Sequence, residues 1–209
     1  MRADRPGPGE ELSAGEVVDA REAASLILLR DAPGGPEVLL VQRNPEQRFM
    51  GGAWVFPGGS LSEGDSDELA TARRELGEEA GIELPDDSEL LRWSRWITPA
   101  QVKVRFDTHF FVASAAEGAE PEVDGAECVD FRWLRPQDAL DAGAREELTL
   151  VFPTIKHLEQ LAEHGSVEDA LQAARERKVL PVEPRVVLEG GVAQVLMPGE
   201  QGYDEAGAG

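Results

Sequence analysis

Arg74-Glu75-Leu76-Gly77-Glu78-Glu79-Ala80-Gly81-Ile82, preceded across a loop by Phe56-Pro57-Gly58-Gly59, is the stretch on which the reading of this chain turns. Glu75, Glu78 and Glu79 stand at i, i+3 and i+4. In a helix these positions project from one face, one turn apart. Like charges so placed repel by roughly 0.2–0.5 kcal/mol per pair. Gly77, in the same turn, costs about 1 kcal/mol relative to Ala. A sequence shaped only for stability would avoid this arrangement. A solvated acidic face is the plain alternative, but hard divalent cations such as Mg²⁺ or Mn²⁺ would turn the repulsion into coordination. The neighbours favour coordination. Arg74 can hold a carboxylate through a bidentate contact. Phe56 to Gly59 supplies a strand end and a tight glycine turn, and Gly81 suits the C′ stop of a helix.

Outward from this point the chain alternates strand and helix patterns. Asp67 to Ala80 reads as a helix whose apolar stripe, Leu69, Ala72, Leu76 and Ala80, should face a sheet. Ala24 to Leu29 is a continuous apolar run, a buried strand. It forms a hairpin with Val38 to Val41 across the turn Asp31-Ala32-Pro33-Gly34-Gly35. Trp54 to Phe56, Trp93 to Ile97, Val104 to Ala113 and Cys128 to Leu134 are further strands. Pro136 opens a short helix ending at Gly143. Helices are predicted near 146–163 and 167–178, with Ser166 and Asp169 imitating a capping box. Val186 to Leu188 and Val192 to Leu196, around Gly190-Gly191, read as a terminal hairpin. The expectation is an α/β (α+β) chain with a mixed sheet and helices on both faces. Residues 1–18 and 204–209, rich in Gly, Pro, Asp and Glu or Ala, read as disordered tails.

The chain has 209 residues, with 20 Lys and Arg against 41 Asp and Glu, a net charge of −21. That charge argues against nucleic acid as a partner, since such binding neutralises phosphates with Lys and Arg. Handling a small polyanion would require metal ions and a local arginine cluster. The single cysteine, Cys128, suits a reducing compartment and a buried position. No apolar run approaches the ~20 residues that span a bilayer, and no secretion signal is apparent. The expectation is therefore a cytoplasmic chain with no membrane partner. There is no Gly-x4-Gly-Lys phosphate loop, no Gly-x-Ser-x-Gly elbow and no paired cysteine motif.

The acidic stretch resembles the Nudix box, Gly-x5-Glu-x7-Arg-Glu-(apolar)-x-Glu-Glu-x-Gly-(apolar). Arg74, Glu75, Leu76, Glu78, Glu79, Gly81 and Ile82 match its second half. The first half departs: Asp65 stands where Glu is usual, and Gly59 to Arg74 spans 15 positions, one more than the pattern. That extension, together with Leu39-Leu40-Val41-Gln42-Arg43-Asn44, Arg48, Gly52 and Phe56-Pro57-Gly58-Gly59, is similar to the coenzyme A diphosphatase branch of the family. Val41 and Asn44 depart from that branch, which has Thr and Ser or Ala there. Trp96-Ile97-Thr98-Pro99 and Arg105 to Phe111 resemble the same group, in particular its peroxisomal-type members and bacterial relatives.

The resemblance implies a Nudix fold, an αβα sandwich around a mixed sheet. It divides the chain into a catalytic domain over 19–145 and a C-terminal helical extension with hairpin over 146–209, packed on the core. It implies metal-dependent hydrolysis of a diphosphate linkage in a nucleoside diphosphate joined to a moiety X, with CoA or acyl-CoA favoured. ADP-ribose or NADH, and a nucleotide-sensing module without catalysis, are the alternatives. Glu75, Glu78, Glu79 and the Gly59 carbonyl would hold Mg²⁺ or Mn²⁺, with Arg74 orienting the carboxylates. The base would be a glutamate of the box or one from a later loop, where Glu127 is the candidate beside a solvated-loop alternative. Arg43 and Arg48, and less directly Arg105 and Lys103, would contact substrate phosphates, if they are not surface ion pairs. His109, alone in a strand, reads more as structural than catalytic. Trp54, Trp93, Trp96 and Trp133 read as core or sheet-face residues, one of which could stack on an adenine. A homodimer is left open, with the C-terminal helices as interface or substrate lid.

Overall fold

The structure is a computed structural model that describes residues 17–189 and 192–207. Of the tails expected over 1–18 and 204–209, residues 1–16 and 208–209 lie outside the described residues, as does the turn at Gly190-Gly191, whereas Glu205–Gly207 forms a short 3-10 helix rather than a disordered tail. The strands are β1 (Arg21–Ala32), β2 (Gly35–Arg43), β3 (Trp54–Val55), β4 (Gly58–Ser60), β5 (Leu91–Ile97), β6 (Phe106–Ser114), β7 (Cys128–Leu134), β8 (Pro181–Val182), β9 (Arg185–Glu189) and β10 (Val192–Leu196). The helices are α1 (Glu68–Ala80), α2 (Pro136–Ala144), α3 (Phe152–Leu161) and α4 (Val167–Glu176). The main sheet runs β3-β2-β1-β6-β5-β8, with β4 on β1 and β7 on β2. β1 and β6 pair in parallel, as do β5 and β8, while β1–β2, β1–β4, β2–β7 and β5–β6 are antiparallel. The sheet is therefore mixed, and β9–β10 form a separate antiparallel hairpin.

The apolar run of β1 is buried on both faces, and its alternation shows why. Leu26 and Leu28 point to one side with Leu39 and Val41 of β2, Phe111 of β6, and Ala72, Leu76 and Ala80 of α1. Ile27 and Leu29 point to the other side with Val38 and Leu40, Leu158 and Leu161 of α3, and Ala170, Leu171 and Ala174 of α4. Each buried Leu or Ile contributes ~1.5–3 kcal/mol by leaving water, so both helical layers are anchored by the period-2 pattern of the central strands. This is the αβα layering that the sequence predicts.

α1 begins and ends where its caps require. The Asp67 side chain accepts from the Ala70 N–H at 2.8 Å. Gly81 takes φ of 64° and donates its N–H to the Gly77 carbonyl, the left-handed closure that favours glycine. Three expectations are corrected. Gly58 and Gly59 belong to a strand on β1, not to a turn, with Gly58 opposite Ser25 and Gly59 opposite Ala24. The helix expected from 146 begins at Phe152. Upstream, Glu146 has φ of 62°, and the Thr149 carbonyl accepts from the Trp54 N–H at 2.9 Å, which holds 149–150 as an extended bridge. Pro153 then fits the first helical turn, where no donor is needed. Finally, β8, only two residues long, is absent from the sequence reading. No described helix is long and apolar enough to cross a membrane.

Beneath the second layer His157 of α3 is fully buried. Its ring centroid lies 4.2 Å from that of Phe110, 5.7 Å from Trp96 and 5.9 Å from Phe56, and its Nε2 is 2.6 Å from Ser94 Oγ. Burial lowers its pKa to about 3. The folded chain thus keeps His157 neutral, whereas the unfolded chain protonates it near pH ~6.5. The proton favours unfolding, so the penalty is absent above that pH and grows as pH falls toward 3. Chemical denaturation at pH 4 to 6 should show the His157→Gln variant losing stability less steeply than the parent, by about 1.4 kcal/mol per pH unit. Equal slopes would show that the buried imidazole does not titrate this way.

Candidate active site

The acidic helix and the glycine strand meet at one end of the sheet. A Cβ on Gly58 would lie 2.5 Å from the Ala24 carbonyl and 2.7 Å from Ser25 Cα, and a Cβ on Gly59 would lie 2.4 Å from Glu75 Oε1. These glycines are needed for close approach to backbone and carboxylate. The Gly58 N–H donates to Glu79 Oε2 at 2.9 Å, so strand β4 grips the carboxylate that α1 presents.

The three box glutamates separate. Glu79 is 1% exposed and Glu75 is 7% exposed, both turned toward the sheet. The Glu78 side chain is 60% exposed and stands outside the cavity that Glu75 and Glu79 line. Arg74 ties them together, donating from one nitrogen to Glu75 Oε1 and Glu78 Oε2, each at 2.7 Å. Its other nitrogens donate to both Asp65 oxygens, at 3.0 and 2.9 Å. Asp65, which departs from the box pattern, is held in turn by Thr71 Oγ1 and the Ser62 N–H, both at 2.9 Å. The hydrogen bond from Arg74 holds its carboxyl well below the usual carboxylate range. Asp65 is thus the anchor that orients Arg74.

Glu127 joins this site from the loop before β7, lining the same cavity as Glu75, Glu79, Gly59 and Arg43. Two residues that the sequence reading did not single out as functional fix its backbone. The Asp124 carboxylate accepts from the Glu127 N–H at 2.9 Å. Asn44 donates its N–H to the Glu127 carbonyl at 2.8 Å and its side-chain amide to the Ala126 carbonyl at 2.9 Å. Asn44 is one of the two departures from the coenzyme A signature, and that departure is the available signal. Arg43 Nη1 lies 3.5 Å from Glu79 Oε1.

The remaining candidates fall elsewhere. Arg48 is exposed on the turn after β2 and does not line the cavity. Arg105 is engaged by backbone and Glu183, as described below. His109 sits between Arg92, 2.8 Å from its Nδ1, and Glu68, 3.6 Å from its Nε2, away from the cavity lining. Of the tryptophans, Trp96 lines the cavity. Cys128 is buried, and burial pushes its thiol up.

Burial pushes the Glu79 carboxyl up to about 7; the Gly58 N–H and Arg43 pull it back, while the charges of Glu75 and Glu127 add to the rise. Burial likewise raises Glu75, opposed by Arg74 and reinforced by Glu78 and Glu127. Buried carboxylates that repel one another, with one guanidinium near each, remain short of positive charge. Among the described residues no group of three or more acidic, His or Cys side chains is placed to hold a metal ion. An Mg²⁺-type ion does not need one: it keeps several waters and takes one or two carboxylates plus substrate phosphates. The donor set fits such an ion.

A family model described as NUDIX domain matches residues 19–154. The chain is 30% identical over 126 residues to the human protein named acyl-coenzyme A diphosphatase NUDT19, covering 58% of this chain and 34% of that relative. It is 38% identical over 79 residues to a protein of Citrobacter koseri named uncharacterized Nudix hydrolase NudL, covering 37% of this chain and 39% of the relative. The chain thus spans about a third of the human relative's length. Among solved structures, a NUDIX hydrolase from Alicyclobacillus acidocaldarius superposes with a TM-score of 0.64 at 28% identity, covering 75% of this chain and 96% of that one.

The two glycines make a paired test. Gly59→Ala, whose Cβ meets the Glu75 carboxylate first, should lower Mn²⁺ affinity by about 10-fold or more while leaving the fold cooperative. Gly58→Ala, whose Cβ meets backbone, should lower the Tm itself. Calorimetric titration and thermal melts of both variants check this, and unchanged Mn²⁺ binding by Gly59→Ala would disconnect Glu75 from the metal.

Proposed function

The chain belongs to the Nudix family, and from that membership we propose that it hydrolyses the diphosphate linkage of a nucleoside diphosphate joined to a moiety X, with CoA or acyl-CoA as the substrate. The observation that carries the reading is that Glu75, Glu79, Glu127, Gly59 and Arg43 line one cavity of about 580 Å³, within the usual ~300–1,000 Å³ of ligand pockets. The identity to the human protein named acyl-coenzyme A diphosphatase supports the choice of X, as does the spacing of Arg43 and Phe56-Pro57-Gly58-Gly59.

A diphosphate resists hydrolysis because its anionic oxygens repel a nucleophile. A cavity lined by three carboxylates would worsen that repulsion, so the residues themselves call for cations. Glu75 and Glu79, with Glu78 and the Gly59 carbonyl as further donors, would hold Mg²⁺ or Mn²⁺, which would supply the positive charge that the diphosphate oxygens need. Arg74, locked by Asp65, fixes the direction of Glu75 and Glu78. Arg43, on the cavity wall, binds a phosphate oxygen and holds the linkage in line for attack. Glu127, whose backbone Asn44 and Asp124 fix, takes the proton from the attacking water. Water adds to one phosphorus, the bridging P–O bond breaks, and two phosphomonoesters leave. From CoA these are a 3′-phosphorylated adenosine monophosphate and a phosphopantetheine.

Incubation with CoA, acyl-CoA, ADP-ribose and NADH in Mg²⁺ or Mn²⁺, with products identified by mass, tests the reading. Preferred release of phosphopantetheine from CoA or its thioesters is expected. Preference for ADP-ribose or NADH would move the chain to the other substrate class. Glu127→Gln should lower kcat by roughly 10²–10⁴-fold with little change in KM. Near-parent turnover in that variant would return the base to a glutamate of the box.

A further inference from the structure

The cavity does not end at the carboxylates. Its lining also takes in the apolar side chains of Val102, Val104 and Phe106, and of Pro184, Val186 and Val195. The last three come from the segment 184–196, beyond the residue 154 at which the family match stops. A part of the chain outside the matched domain therefore completes the pocket.

Arg105 is what fastens that part in place. Its side chain is 9% exposed, and its three nitrogens reach three separate segments. Nε donates to the Thr98 carbonyl at 3.0 Å, Nη1 to the Val18 carbonyl at 2.8 Å and Nη2 to Glu183 Oε1 at 2.9 Å. Tyr203 Oη donates to the Glu183 carbonyl at 2.7 Å, and the Arg185 guanidinium stacks 4.1 Å from the Tyr203 ring centroid. β8 adds a parallel pairing of Val182 with Trp96. Together these contacts bolt the start of the β9–β10 hairpin beside the loop 98–105. The sequence reading gave Arg105 a phosphate; the fold gives it a wall to hold.

We propose that the β9–β10 hairpin, fastened through Arg105 and Glu183, is the selectivity wall of the cavity, and that it receives an aliphatic chain carried by the X group of the substrate. This rests on the functional reading above and deepens it. With the diphosphate at Glu75, Glu79 and Arg43, the X group would meet the apolar side chains that line the same cavity. A polar X, such as a ribose phosphate, would leave hydroxyls unpaired against these side chains. The Thr98 hydroxyl offers little relief, since it already bonds both the N–H and the carbonyl of Phe106. In an acyl thioester of CoA the pantetheine arm carries a hydroxyl and two amides of its own, so only the acyl chain beyond it suits these side chains without that penalty, and each methylene it buries raises affinity by roughly fourfold.

The test compares kcat/KM for CoA, octanoyl-CoA and ADP-ribose, with Mn²⁺, in the full chain and in variants whose thermal melts show them folded. The parent should prefer octanoyl-CoA over CoA by about tenfold or more, mainly through KM. Val186→Asp should collapse the octanoyl-to-CoA ratio. Val186→Phe, which keeps the wall apolar but fills it, should shift the optimum to shorter chains. Glu183→Gln should lower the same ratio by loosening the bolt. Hydrolysis of CoA and octanoyl-CoA at equal efficiency, or a ratio unmoved by both Val186 variants, would overturn the wall while leaving the CoA reading intact. Turnover of ADP-ribose with neither CoA nor octanoyl-CoA cleaved would overturn the substrate reading and the wall together.

Discussion

Two carboxylates buried against a strand of glycines are the constraint around which this molecule is arranged. Glu75 and Glu79 cannot leave water unless something replaces it. Part of the replacement is local: the Gly58 N–H for Glu79 and the Arg74 guanidinium for Glu75. Each requires a particular backbone. The N–H is free to turn to Glu79 because β4 is a short strand on β1, and it comes close because Gly58 and Gly59 carry no side chain. α1 must then pack flat on β1, which Ala72, Leu76 and Ala80 allow. The core and the site are thus consequences of one another, and the remaining shortage of positive charge is the property a catalytic cation would exploit.

The arginines show how an acidic chain spends its few cations. With 20 Lys and Arg against 41 Asp and Glu, most guanidinia could be expected in surface pairs of little energetic weight. Arg74 and Arg105 are different. Each joins several groups through a planar fork, Arg74 to three carboxylates and Arg105 to two carbonyls and Glu183. Arg74 orients carboxylates of the site, and Arg105 ties the segment before the β9–β10 hairpin to the body of the chain. Neither role survives substitution by lysine, whose ammonium lacks the fork geometry.

Much of the fold was legible because its signals are local. The period-2 run of β1, the stripe of α1, the Asp67 cap and the Gly81 stop each depend on residues within a few positions. β4 was misread because Gly-Gly-Ser has no strand preference of its own, and only pairing with Ala23 to Ser25 makes it one. The start of α3 was misread because the bridge from Thr149 and Leu150 to Trp54 competes with helix for the same backbone.

The sequence by itself determined the chemistry on offer: an acidic helix with Arg74, Glu75, Glu78 and Glu79, a glycine pair before it, and a net charge of −21 that argues against a nucleic-acid partner. Those are properties of residue type and spacing. Only the tertiary structure decided which of these groups meet. Glu78 turns outward while Glu79 turns in, because adjacent helix positions are about 100° apart and only one of them can face the sheet. Asp65 reaches Arg74 across a loop, Asn44 reaches Glu127 across 83 positions, and Arg105 holds a hairpin that lies near the end of the described chain. Such contacts are set by how strands pair and layers pack, and pairing between distant segments leaves no periodic trace in either of them.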